Sequence, residues 1–322
     1  MCGTDDCLIK YSSVPCATPE NDTKDTSTTI NLDHGDPTMY ESYWRKMGNK
    51  CDITFNGDES LSYFANGKSL CWFLESKLEE QIKRLHNVVG NVIVDDHYII
   101  VGTGSSQLMQ AALYALSPTD QLEPISVVSA TTFYSHTAIP SIANHNVMLF
   151  TISKCTSHAS SKIGWALVKD KEVARKMTNF MEISTIGVSK EAQLRAAKIL
   201  EVVSDSCLDP KMENFFEYSQ SLMTDKWQRL RQVVLANNFF VLQKGKYPLQ
   251  YCLFIKDFCE SHLGGDKEDC EKLLKEHTIH TRSGRRFGSD SRNVRISMLS
   301  RDEDFNIFLK RLMAIQGSTN RN

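Results

Sequence analysis

Val147-Met148-Leu149-Phe150-Thr151-Ile152-Ser153-Lys154 is the stretch whose reading decides the fold of this chain. An unbroken run of apolar and β-branched residues reads as a buried strand, and this one ends in a hydroxyl and an amine. In an open α/β sheet, ligands bind outside the carboxyl ends of the strands. A lysine that leaves an apolar strand for a cleft loses solvation, its pKa falls, and it becomes a nucleophile toward an aldehyde. The alternative is a solvated surface lysine, and Ser153-Lys154 alone does not separate the two.

The neighbouring segments have the same character. Upstream, His97 to Val101 reads as a strand and Gly102-Thr103-Gly104-Ser105-Ser106 as a small turn. Gln107 to Leu116 follows as a helix with Leu108, Ala111, Ala112, Ala115 and Leu116 on its apolar side. A strand, a glycine-rich turn and a helix N-terminus bring backbone N–H groups and the positive end of the helix dipole to one point, a seat for phosphate. The third glycine of a dinucleotide fingerprint is missing, and no Gly-Lys-Ser/Thr follows. The turn therefore reads either as a phosphate seat or as a tight strand–helix connection. Ile125 to Ser129 is a further strand, with Phe133 just past its end. That ring either fills the core or stacks on a flat ligand. Gly164 to Val168 is another strand and Lys171 to Glu182 a helix.

Residues 1–29 are rich in Ser, Thr, Asp and Pro and read as a flexible tail. Order begins at Asn31, where His34 and Asp36 read either as ligands or a proton relay, or as part of a turn nucleated by Gly35-Asp36-Pro37. Tyr40, Tyr43, Trp44 and Met47 have helical spacing, Leu61 to Phe64 is a short aromatic segment, and Leu74, Leu78, Ile82 and Leu85 mark an amphipathic helix ending near Gly90. Residues 30–188 are thus expected to form a large ligand-binding domain, and 189–322 a smaller α+β domain. The second has helices at 189–204 and 212–236, a strand at 249–255, a helix at 267–276, a hairpin across 278–299 and a closing helix at 302–314. Arg295 stands inside the apolar Val294-Arg295-Ile296-Ser297-Met298 strand. A buried arginine needs an anion, either a structural partner or a substrate carboxylate.

Composition excludes several classes. A net charge of −2 and a pI near 6.5 give no surface for a polyanion, so no nucleic acid is expected. No window is apolar enough to span a membrane, and the first twenty residues lack a basic region followed by an apolar core. The ten cysteines include no Cys-x-x-Cys pair. Reduced thiols, a cytoplasmic setting and no metal site are expected.

NLDHGDPTMYESYWRKMG (31–48), SYF (62–64), LCWFLE (70–75), YIIVGTGSSQL (98–108), SKCTSHASSKIGWALVKDKEVARKM (153–177), IGVSKEAQ (186–193) and VRISMLSRD (294–302) carry a closer likeness. The sequence resembles the plant tryptophan aminotransferase family, within the group sharing the alliinase C-terminal domain. The resemblance implies an α/β chain of the aspartate aminotransferase-like fold (pyridoxal-phosphate fold type I), with a mostly parallel sheet in the large domain. It implies pyridoxal 5'-phosphate as cofactor, carried by Lys154, which also moves the substrate α-proton. Gly104, Ser105, Ser106, Ser153 and Lys162 would hold the phosphate, and Tyr63 would reach that of the neighbouring subunit in a homodimer. Phe133 would stack on the pyridine ring and Arg295 bind the substrate carboxylate. The implied reaction moves the amino group of tryptophan to a 2-oxo acid, giving indole-3-pyruvate on the auxin route. The neighbouring activity in the group is the carbon–sulfur lyase of alliinase.

Two departures from the family pattern stand out. Lys162 takes the place of an arginine, giving charge without a two-pronged fork. Phe133 and Lys154 are only 21 positions apart, where the family has several dozen more residues. The missing part carries an Asn for the cofactor's phenolic oxygen and an Asp that keeps the pyridine nitrogen protonated. The chain is read as an aminotransferase homologue with an internal deletion that removes strand–helix units from the sheet. The alternative is a non-catalytic homologue that dimerises with intact paralogues.

Overall fold

The structure, a computed structural model, describes residues 28–33, 35–65, 69–117, 147–237, 239–242, 260–265, 269–287 and 290–315. His34, Phe133 and the strands expected at 125–129 and 249–255 lie outside these residues. In chain order the first elements are β1 (Ile30–Asn31), α1 (Glu41–Met47), α2 (Ser76–Val89), β2 (Tyr98–Gly102), α3 (Gly104–Leu116), β3 (Val147–Thr151), α4 (Ile152–Cys155), β4 (Gly164–Val168) and α5 (Lys171–Thr185). They are followed by α6 (Lys190–Leu208), α7 (Phe215–Asn237), β5 (Phe240–Leu242), β6 (Glu260–Gly265), α8 (Cys270–Glu276), β7 (Ile279–His280), β8 (Arg282–Ser283), β9 (Asn293–Ser297) and α9 (Asp302–Ala314).

The first sheet has the order β2-β4-β3 among the described residues. Gly-Trp-Ala-Leu-Val in β4 carries no charged side chain and all five residues are buried, as a strand covered on both faces must be. It runs antiparallel to both neighbours, so β2 and β3 point the same way. Trp165 stacks on Phe150 of β3, with ring centroids 5.7 Å apart. Its indole N–H donates to His86 Nε2 at 3.0 Å, which puts the imidazole proton on Nδ1, facing Asn91 Oδ1 at 2.8 Å. Burial holds the His86 pKa below its usual value. Helices α3 and α5 pack against each other beside this sheet, burying Leu108, Ala111, Ala112 and Ala115 from one and Val173, Ala174, Met177 and Met181 from the other.

Helix α2 buries Leu78, Ile82 and Leu85 and lies along α6. Its end comes at Gly90, whose φ of +67° only glycine adopts without cost. Three polar bonds lock Gln193 of α6 to the chain before and beside it. Its Oε1 accepts from the Glu75 N–H at 2.8 Å, and its Nε2 donates to Phe73 O and Val188 O, both at 3.0 Å. At the other end of the contact, Arg84 meets Asp205 at 2.6 Å.

The second sheet has the order β5-β6-β9-β8, antiparallel throughout. A third, two-stranded sheet pairs β1 with β7 in parallel. The hairpin expected across 278–299 is therefore split. Ile279 and His280 leave it to bind the N-terminal arm, and only Arg282–Ser283 pairs back on β9. Two further differences concern the site. Strand β3 stops at Thr151, because that side chain accepts the Ser153 N–H and starts a helical turn, so Ser153 and Lys154 stand on α4 rather than on the strand. Helix α3 begins at Gly104, not Gln107, and so takes in both serines of the turn.

Replacing Gln193, 1% exposed, by leucine strands one N–H and two carbonyls inside the α2–α6 contact. A loss of about 2–4 kcal/mol in denaturant-measured stability is expected. A change within 0.5 kcal/mol in such a titration would contradict the role given to these bonds.

Candidate active site

Register fixes where the chemistry gathers. Gly102 at the end of β2 and Thr151 at the end of β3 are both partners of Gly164, the first residue of β4. Three chain segments therefore leave the sheet at one end: Thr103-Gly104-Ser105-Ser106, Ile152-Ser153-Lys154-Cys155 and Lys162-Ile163. Their closeness is physical. A Cβ on Gly164 would stand 2.7 Å from Phe150 O, 3.1 Å from Gly104 C and 3.1 Å from Ser105 N. Only a glycine lets the first turn of α3 sit down on the sheet here. Gly104 itself has φ +78°, a left-handed conformation that turns the chain sharply from β2 into α3. Thr103 makes no side-chain cap, its own N–H is accepted by Gln107 Oε1 at 2.8 Å, and the positive end of the helix dipole lies at Gly104 and Ser105.

Thr151 sets the opposite wall. Its hydroxyl donates to Ile163 O at 2.9 Å, stands 3.2 Å from Ser153 Oγ, and accepts from the Ser153 N–H at 3.3 Å. Lys154 is half-buried on the short α4, with Cys155 buried behind it. Thr156 hydroxyl donates back to Ile152 O at 3.0 Å, so its oxygen receives the Nδ1–H of His158, also at 3.0 Å. That imidazole meets the Trp44 ring edge-on at 4.4 Å. Burial there pushes its pKa down to about 4. Ser157 and Lys162 bracket the loop with φ of 70° and 51°, a left-handed backbone uncommon outside glycine. Lys162 is exposed.

No Asp or Glu lies between His97 and Ser117, nor between Pro124 and Lys169. The segments that form this end of the sheet thus bring two ammonium groups, several hydroxyls and a helix N-terminus, with no carboxylate. A small phosphorylated aldehyde suits that donor set: the anion at the helix end, the carbonyl at the amine. Tested against pyridoxal phosphate, the phosphate and aldehyde ends fit. The carboxylate that a protonated pyridine nitrogen needs has no source on these segments.

The other expected residues lie on other elements. Phe133 is outside the described residues. Tyr63 is on the surface segment before α2, 69% exposed. Arg295 is in β9, 5% exposed, and its Nη2 donates to Asp33 O at 3.1 Å. Asp33 is a residue the sequence reading passed over. Its carboxylate binds Arg282, the direct cross-strand partner of Arg295, so one aspartate organises two guanidiniums. Gly164 was also passed over. In retrospect, a glycine opening an otherwise large apolar strand signals close backbone approach.

Comparison with known proteins bears on this geometry. The family model described as allinase matches residues 30–137 and 135–316. Tryptophan aminotransferase-related protein 2 of Arabidopsis thaliana is 40% identical, over 92% of this chain and 83% of its own length. Alliin lyase of Allium cepa var. aggregatum is 25% identical, over 93% of this chain and 83% of its own. An aminotransferase structure from Staphylococcus aureus superposes with TM-score 0.59 at 15% identity, over 89% of this chain and 93% of that one, and so shares the fold. The alignment to the Arabidopsis protein spans 373 positions, yet 92% of 322 residues is about 296, so about 77 of those positions have no residue here. The two family matches meet at 135–137, inside the shortened step between Phe133 and Lys154.

Two outcomes follow for the site. Gly164→Ala is expected to lift α3 off the sheet, lowering stability by about 1–3 kcal/mol and weakening inorganic phosphate binding, measured by calorimetry; unchanged stability and binding would contradict the close approach. His158 is neutral in the fold with a pKa of about 4, whereas the unfolded chain takes up its proton near pH 6.5. Its stabilising contribution is present above about pH 6.5 and lost as pH falls toward 4. Urea midpoints measured across that window should fall more steeply for the parent protein than for His158→Gln.

Proposed function

The chain belongs to the allinase family, whose members are pyridoxal-phosphate enzymes, and on that premise we propose that it is an aminotransferase taking L-tryptophan to indole-3-pyruvate, with a 2-oxo acid as acceptor, on the route to auxin. The observation that carries this reading is that the segment bearing Lys154 and the Gly104–Ser105 helix end leave the sheet at one point, level with Gly164. The cofactor, when bound, supplies a conjugated ring that draws electrons from the amino-acid carbon. The chain's part is to place and protonate. Lys154 would hold the aldehyde end and move the α-proton. Gly104, Ser105, Ser106, Ser153 and Lys162 hold the phosphate. Arg295 would take the substrate carboxylate, and Phe133 would face the ring.

We propose further that the protein works as a cytoplasmic homodimer. Leu61, Tyr63 and Phe64 are 82%, 69% and 66% exposed, an apolar and aromatic surface of the kind that association covers. In the dimer, Tyr63 of one subunit would reach the phosphate of the other.

A second reading has its own support. With about 77 aligned positions missing relative to the Arabidopsis protein and no carboxylate between Pro124 and Lys169, these segments supply no group to keep a ring nitrogen charged. A chain that binds the cofactor feebly and associates with intact relatives would keep the dimer surface without the reaction. The 25% identity to alliin lyase makes carbon–sulfur cleavage the neighbouring chemistry.

Absorbance of the purified protein with added pyridoxal phosphate, before and after borohydride, separates these readings. A visible band that borohydride fixes on Lys154, absent in Lys154→Ala and followed by tryptophan-dependent amino transfer to pyruvate, is expected of the enzyme. Folded protein with no band, but with measurable association to an intact relative, would overturn it in favour of the non-catalytic homologue.

A further inference from the structure

Lys226 has no part in the chemistry above, yet it is 2% exposed, a burial that lysine tolerates only with good partners. It projects from α7 toward the connection between β9 and α9. Its ammonium donates to Met298 O at 3.2 Å and to Ser300 O, and sits 4.8 Å from the centre of the Phe305 ring. The same connection is held from the opposite side by the N-terminal arm. The Ser297 N–H donates to Leu32 O at 2.9 Å, and Leu299 O accepts the Met39 N–H at 3.0 Å. Between those two bonds and the lysine, four consecutive residues after Ile296 have a backbone group tied to an element outside the strand. One turn along α7, Arg229 joins Asp302 at the start of α9.

The strand fixed in this way is the one that carries Arg295, whose guanidinium meets the same N-terminal arm at Asp33 O. We propose that Lys226 is a positioning residue for carboxylate binding: gripping the Met298 and Ser300 carbonyls from α7, it sets the exit of β9 and with it the place of Arg295 three residues upstream. The proposal rests on Arg295 being the carboxylate site. An ammonium suits the task better than a neutral donor, because it reaches two carbonyls and an aromatic face at once, each attracted by the charge.

The grip weakens when the charge is lost. Burial pushes the Lys226 pKa down to about 8, against Asp302, Glu303 and Asp304 of α9, which raise it; Arg229 on its own helix lowers it further. The other charges around this connection are already paired: Arg301 with Glu41 of α1 at 2.9 Å, and Asp225 with Arg229 at 3.0 Å. Carboxylate affinity should accordingly be full below pH 8 and decline above it.

The test is binding of indole-3-propionate, a carboxylate without an amine, to the full chain by calorimetry between pH 7 and 9.5. The wild-type protein, Lys226→Met, Lys226→Arg and Arg295→Ala are compared. Expected are a fall in wild-type affinity with a midpoint near pH 8, and roughly three- to thirty-fold weaker, pH-independent binding in Lys226→Met. Lys226→Arg, which keeps its charge throughout, should stay tight at high pH. Lys154 is present in the wild type and both Lys226 variants, so its titration cannot produce the difference between them. Wild-type affinity and pH profile in a folded Lys226→Met overturn the proposal. If that variant does not fold, equal pH profiles of wild type and Lys226→Arg overturn it instead. Undiminished binding in Arg295→Ala would remove the carboxylate site on which it stands, whereas loss there with no effect at Lys226 defeats this inference alone.

Discussion

The structure depends on one dry strand. All five residues of β4 are buried, so every backbone group must be met by a neighbouring strand, since water cannot meet it. β2 and β3 supply those bonds over all five positions on each side, and the register that results leaves no freedom in where the flanking strands end. Gly102 and Thr151 come out level with Gly164, and whatever follows them in sequence is delivered to the same place. The helix end at Gly104 and the turn that carries Lys154 leave the sheet side by side because β4 is apolar, paired on both edges, and begins with a residue that has no side chain.

Charge in the other half of the molecule is organised by the N-terminal arm. Two arginines opposite each other on β8 and β9 would repel, and a guanidinium with low exposure is costly without an acceptor. Asp33 answers both needs: its carboxylate takes Arg282 and its carbonyl takes Arg295. With Lys226 fixed on carbonyls one and three residues past β9, cationic groups are held on backbone oxygens at both the middle and the exit of one strand.

Much of this was legible in the residues themselves. The apolar periodicity of α2, the Gly90 stop and the all-apolar β4 are local signals, and each element lies where its pattern put it. That the segments bearing Gly104, Ser105, Ser153 and Lys154 leave the sheet at one end was legible because each follows a recognisable strand. What could not be read depends on contacts distant in sequence. Thr151 looks like any β-branched strand residue until its oxygen is seen taking the Ser153 N–H. Ile279–His280 has the texture of a hairpin arm, and only the presence of β1 beside it explains its parallel pairing. Asp33 sits 249 residues from Arg282, too far for any spacing rule, and Lys226 shares the pattern of an ordinary exposed helix lysine.

The long reach of the N-terminal arm also bears on how the chain is made. Ile30 and Leu32 donate their N–H groups to Thr278 O and His280 O, and Asp33 waits for Arg282 and Arg295, the latter 262 residues later. At roughly 5–20 residues per second on the ribosome, the arm spends on the order of ten to fifty seconds outside the exit tunnel before its partners exist. Its bonds are among the last the molecule can form, and loop closure over such a span is slow compared with the local pairing of β2, β3 and β4. During synthesis the arm is therefore a ligand without a receptor, open to chaperones and proteases until the final sixth of the chain arrives.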